Sequence, residues 1–92
     1  GLATTEAEVK SSLLPGWAVR QYALLPEGRD AGLIGRRVGD LHLPDGVEVA
    51  AVTRFGVPLL VEDSLVMEPD DQLTIVGPEG VMPTPEDPAP VV

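Results

Sequence analysis

Ninety-two residues with three aromatics and a formal charge of −9 make one small domain whose core must be aliphatic. The lack of cysteine excludes a disulfide scaffold, a thiolate zinc site and a thiol nucleophile. The negative field makes a nucleic-acid backbone or an anionic lipid surface a poor partner, and no apolar run is long enough to span a membrane.

The chain opens on Gly1 rather than Met, so it reads as an excised piece of a longer polypeptide. Residues Thr4 to Leu14 predict a short helix: Thr5 and Glu8 fit a capping box, and Pro15-Gly16 stops the pattern. Residues 1–16 are therefore expected to be a linker helix. Trp17 to Leu25 predicts the first strand, with Trp17, Val19, Gln21, Ala23 and Leu25 on one face and Ala18, Arg20, Tyr22 and Leu24 on the other. Neither face is cleanly polar, which suits a strand covered by the domain on one side and by a partner on the other. A loop over Pro26–Asp30 leads into a weak helix over Ala31–Leu41, capped by Asp30, with Ile34, Val38 and Leu41 facing the sheet. Gly32, Gly35 and Gly39 would permit close approach of backbones. Leu43-Pro44-Asp45-Gly46 is a turn.

From Val47 the pattern becomes β-rich, with strand runs at Val47–Thr53, Val57–Glu62 and Gln72–Val76. Arg54-Phe55-Gly56 reads as a hairpin tip and Glu68-Pro69-Asp70-Asp71 as a second turn, in which Asp70 takes the left-handed position. These three runs are expected to form an antiparallel meander. Beyond residue 80 the chain is rich in proline and acid and lacks periodicity, so residues 81–92 are expected to form a disordered tail.

Catalytic and metal motifs are scarce. His42 is the single histidine, no nucleophile-elbow pattern surrounds Ser11, Ser12 or Ser64, and His42 reads as a partly buried spacer. Glu62-Asp63 and Asp70-Asp71 read as solvated turns, without the alternating carboxylates of an EF-hand. The glycine-rich stretch 28–39 lacks both GxGxxG and GxxxxGK[ST]. The expectation is a non-enzyme with no cofactor and no resident metal. Arg54, next to Phe55, reads as a solvated turn residue that could also meet a ligand or partner carboxylate.

The order apolar run, Arg-x-Gly, apolar run, then Met67-Glu68-Pro69-Asp70-Asp71-Gln72-Leu73 closing on Ile75-Val76-Gly77, resembles the TrkA-C domain. That domain is the C-terminal lobe of the regulator-of-potassium-conductance module. Upstream, Leu33-Ile34-Gly35-Arg36-Arg37-Val38-Gly39-Asp40-Leu41-His42-Leu43-Pro44 resembles the family's approach to its second strand. The likeness runs from Trp17 to Gly80. The chain departs from the pattern at Asp70, where the family has Gly, and at Val61, where it has Pro; a proline stands instead at Pro58. The resemblance implies an α+β fold of strand, short helix and three-stranded antiparallel meander, occupying residues 17–80 after the linker helix.

It also implies a cytoplasmic regulatory domain of a potassium channel, a Trk/Ktr-type transporter or a cation/proton antiporter, working as a homodimer attached to that membrane protein. A small-molecule effector would sit in a dimer groove lined by Leu43, Val47, Val49 and Ala51, with Arg54 nearby. Cyclic di-AMP, which some TrkA-C dimers bind, is disfavoured: Pro44 and Glu48 stand where those binders resemble one another in carrying Arg and Asn. Two other readings stay open, a stand-alone oxyanion-binding β-barrel domain and a pure oligomerisation module.

Overall fold

A computed structural model describes residues 15–84 and 86–90. The expected linker helix lies outside these residues. Four antiparallel strands, β1 (Trp17–Ala23), β2 (Glu48–Arg54), β3 (Val57–Pro58) and β4 (Gln72–Pro78), form one open sheet in the order β1-β4-β2-β3. The meander is thus corrected: β4 enters between β1 and β2 rather than beyond β3. Leu73 and Ile75 are fully buried, and only the central position satisfies both backbone edges of so apolar a strand. The third apolar run keeps a ladder only at Val57–Pro58, followed by one bond from the Leu59 amide to the Val52 carbonyl (2.9 Å). Pro58 lies on the outer edge, where its missing N–H deprives no partner.

The turns fall where the sequence puts them. Phe55 (φ 50°) and Gly56 (φ 79°) form the two-residue hairpin tip, which leaves Arg54 paired with Val57 as the last residue of β2. Asp70 adopts φ 69°, and the Asp71 amide reaches the Glu68 carbonyl at 3.2 Å.

The helix expected over 31–41 is replaced by two single 3₁₀ turns, Ala31–Leu33 and Val38–Asp40. Gly35 takes φ +87°, which ends helical geometry. The backbone between and around the turns pairs with residues 63–67 instead. Gly35 and Val38 amides donate to the carbonyls of Met67 and Leu65, both at 2.8 Å, and the Met67 amide returns a bond to Arg36. Gly39 meets this ribbon most closely, for a Cβ there would lie 2.7 Å from the Asp63 Cβ. Leu33, Val38 and Leu41 are buried, with Ile34 packed at the margin. The α+β expectation survives only coarsely, as a sheet with a few short helical turns.

Register fixes what each sheet face carries. Tyr22, Leu73 and Val52 lie opposite one another, as do Arg20, Ile75 and Val49, and all belong to one face. That face is roofed by Leu24, Leu33, Val38, Leu41, Val47 and Met67. Between Val49 and Ala51 the β2 register shifts, so Ala50 is bulged and alternation is reversed beyond it. Val19 and Thr74 are buried on the other face, outside the main core cluster.

The described residues after 80 do not form the free tail expected over 81–92. Met82 and Ala89 are buried in the core cluster, and Arg20 and Arg29 donate to the carbonyls of Pro83 and Glu86. Guanidinium donors and two apolar side chains supply the contacts that a proline-rich sequence cannot make with itself.

Gly77 is set by crowding. A Cβ at this position would lie 2.7 Å from Val47 Cγ2 and 2.9 Å from Val47 Cα. Backbone cannot yield as a side chain can, so Gly77→Ala should destabilise the domain by about 1–3 kcal/mol. Thermal unfolding of the variant checks this; a melting temperature equal to the parent's would contradict the packing.

Candidate functional site

The five residues expected around a groove are separated by the structure. Val47 is buried beneath Gly77 and belongs to the core. Leu43 and Val49 are half-buried at its margin. Ala51 follows the bulge and pairs with Thr74, which puts it on the opposite face from Val49. The strict alternation that would align Val47, Val49 and Ala51 is broken by one extra residue. Arg54, at the far end of β2, is engaged in a cluster of its own.

That cluster centres on Asp71, whose side chain is wholly inaccessible while the Arg54 side chain is 24% exposed. Arg54 grips the carboxylate with both arms of its fork: Nε donates to Oδ1 at 2.9 Å and Nη2 to Oδ2 at 2.8 Å. The Glu68 amide adds a third bond to Oδ2 at 2.9 Å. Nη2 also donates to the Val66 carbonyl at 3.1 Å, and Nη1 meets Glu68 Oε2 at 2.9 Å. The solvated-turn reading of Arg54 and of Asp70-Asp71 is corrected accordingly. Asp70 is exposed and makes the turn; Asp71 is buried and holds the arginine.

Electrostatics follow the geometry. Burial alone would push the Asp71 carboxyl up, but the Arg54 hydrogen bond, the Glu68 amide and the guanidinium charge together hold it below its ordinary value. Arg54 is raised in turn, chiefly by its bond to Asp71. Arg54 and Asp71 engage each other's charge, and Glu68 closes the cluster on its exposed side.

His42 is exposed rather than partly buried, since the helix expected to shelter it does not form. Among the described residues, no group of three or more histidine, aspartate or glutamate side chains is placed to hold a metal ion, and no helix is long and apolar enough to cross a membrane. An open hollow of about 450 Å³ lies at Leu25, Pro26, Glu27 and Gly28, and a polar one of about 250 Å³ at Arg37, Gly39, Asp40, Asp63 and Ser64. Neither is bounded by the groove residues. A further set was missed from sequence: Arg20, Tyr22, Arg29 and Asp30 come together beneath the C-terminal segment. Only the alternation of Arg20 with the inward-facing Tyr22 hinted at it.

Exposed apolar side chains concentrate at the β2–β3 hairpin. Phe55 is 81%, Val57 58% and Leu60 76% exposed. The run 55–61 carries no charge, and the neighbouring Arg54 is paired with Asp71 and Glu68, a cluster that keeps one negative charge in excess.

Removing the Asp71 carboxylate by Asp71→Ala leaves the guanidinium without its buried partner and should cost about 3 kcal/mol, read as a fall in melting temperature of roughly 10–20 °C. The linkage has a definite sign. A carboxyl lowered in the folded state contributes stability in full above its ordinary value of 3.8, and that stability is lost as pH falls through the lower native value. Acid titration should therefore show the parent losing stability below pH 3.8 more steeply than Asp71→Ala does; parallel curves would refute the assignment.

Residues 23–84 match the family model of the TrkA-C domain. No curated protein matches the chain.

Proposed function

Because this chain belongs to the TrkA-C domain family, a regulatory domain of potassium transport proteins, we propose that it is a cytoplasmic, ligand-sensing and dimerising unit of a potassium channel, a Trk/Ktr-type transporter or a cation/proton antiporter. The family match over residues 23–84 carries this reading. The domain is non-catalytic: it regulates by changing shape or association.

The uncharged hairpin supports a dimer. Two copies that each carry −9 repel one another, so a self-contact is favoured where charge is absent and apolar area is exposed. Phe55, Val57 and Leu60 meet that condition. An isologous contact would bring each copy's hairpin against its partner and bury side chains that a domain of this size cannot cover alone. The effector would bind where the two copies meet. It shifts the assembly only as far as its affinities for the two states differ. The open sheet, with β1 and β3 at its edges, does not have the closed-barrel architecture of the oxyanion-binding alternative.

Light scattering should give a dimer mass for the parent and a monomer for Phe55→Asp/Leu60→Asp. A panel of nucleotides, cyclic dinucleotides and divalent ions should include one member that raises the melting temperature. At one hundred times its dissociation constant, the gain is about 2.7 kcal/mol. A parent that is monomeric at every concentration would refute the dimer. A dimer indifferent to the whole panel would reduce the domain to an oligomerisation module.

A further inference from the structure

Residues 82–84 and 86–90 lie as a strap against the core-side face of β1, and Arg20, Arg29 and Asp30 meet its main chain. Arg20 Nε donates to the Pro83 carbonyl at 2.8 Å, and Arg29 Nη1 donates to the Glu86 carbonyl at 2.8 Å. The Ala89 amide donates to Asp30 Oδ1 at 2.6 Å. The three anchors are spaced three residues apart. Between them, the Thr84 amide bonds Asp87 Oδ2 at 2.9 Å and the Asp87 amide bonds the Thr84 carbonyl at 3.0 Å. The strap therefore brings a turn of its own, and Met82 and Ala89 are its buried side chains.

The receiving surface is built. Asp30 and Tyr22 are buried, and the Arg29 guanidinium stands 5.9 Å from the centre of the Tyr22 ring. Arg20 and Arg29 supply two of the chain's six cationic side chains, facing a strap that carries Glu86 and Asp87. An aromatic flanked by donors to backbone carbonyls is the chemistry that receives proline-rich segments, whose restricted backbone loses little entropy on docking. Pro83, Pro85, Pro88 and Pro90 supply that restriction.

We propose that Arg20, Tyr22, Arg29 and Asp30 form a docking groove for a proline-rich acidic peptide, filled in cis by the segment that carries Met82, Pro83, Glu86 and Ala89 and open in trans to the same segment of a second copy. Recognition through the main chain and two apolar side chains, Met82 and Ala89, makes the segment exchangeable. A core element locked by interdigitated side chains would not be. The second copy is the favoured occupant because the segment already seated is the one that fits.

The test uses the 92-residue chain carrying Met82→Asp and Ala89→Asp, which leaves the groove intact and prevents the strap from seating. A synthetic peptide of residues 82–90 is titrated in while the resonances of Tyr22, Arg29 and Asp30 are followed. Saturable shifts are expected. Asp30→Ala in the same background should weaken binding about tenfold or more, and a scrambled peptide should bind at least about tenfold more weakly. Dimerisation through the hairpin would leave these differences unchanged. A folded variant that ignores the peptide overturns the proposal, as does equal binding of the scramble or indifference to Asp30→Ala. A double variant that fails to fold also overturns it, since the strap would then be core rather than a docked peptide.

Discussion

Burial of the Asp71 carboxylate is the constraint on which the arrangement of the sheet rests. A carboxylate removed from water must be paired, and here the partner comes from the end of β2 through both arms of Arg54. The same residue uses its backbone carbonyl to receive the Leu24 amide at 2.9 Å, while the Asp70 amide reaches the Leu24 carbonyl. One residue thus joins the exit of β1, the end of β2 and the turn before β4. Sliding β4 by one position would break a buried ion pair and turn Leu73 and Ile75 outward together, so the ionic and apolar terms select the same register.

The second organising feature is the bulge at Ala50. Without it, Val47, Val49 and Ala51 would share one face and offer an apolar stripe. With it, Val47 and Val49 turn toward the roof and Ala51 turns away, while Val52 takes the next core position against Leu73. The extra residue lets β2 contribute to the core at both ends and also turns Arg54 toward Asp71. The crowded pair Val47 and Gly77 pins the opposite end of the sheet. What remains outward is an uncharged hairpin at one edge and a strap across the core side of β1. A regulatory domain needs surfaces that can exchange partners on a scaffold that does not deform, and these are the two surfaces for which we propose that role.

Much of the local structure was legible in the residues. Turn chemistry at Pro44-Asp45-Gly46, Phe55-Gly56 and Glu68–Asp71 needs only the φ preferences of proline, glycine and aspartate, which act within a few residues. Strand runs needed only β-branched density, and the resemblance named the family from the order of those runs. The failures were of another kind. Ile34, Val38 and Leu41 fit a helical stripe, yet Gly35 and the pairing of residues 35–39 with 63–67 gave the backbone better partners than its own turns. The tail had the composition of disorder, yet Arg20, Arg29 and Asp30 lie sixty residues upstream in sequence and adjacent in space.

By itself, then, the sequence determined the family, the positions of the turns, the strand runs other than Val57–Glu62 and an aliphatic core, because each of these follows from residue type and near neighbours. The tertiary structure decided the strand order, the bulge that divided the expected groove, the burial of Asp71 and the seating of Met82 and Ala89. Each depends on which distant backbone donor or charge arrives to satisfy a buried group, and spacing along the chain carries no record of that.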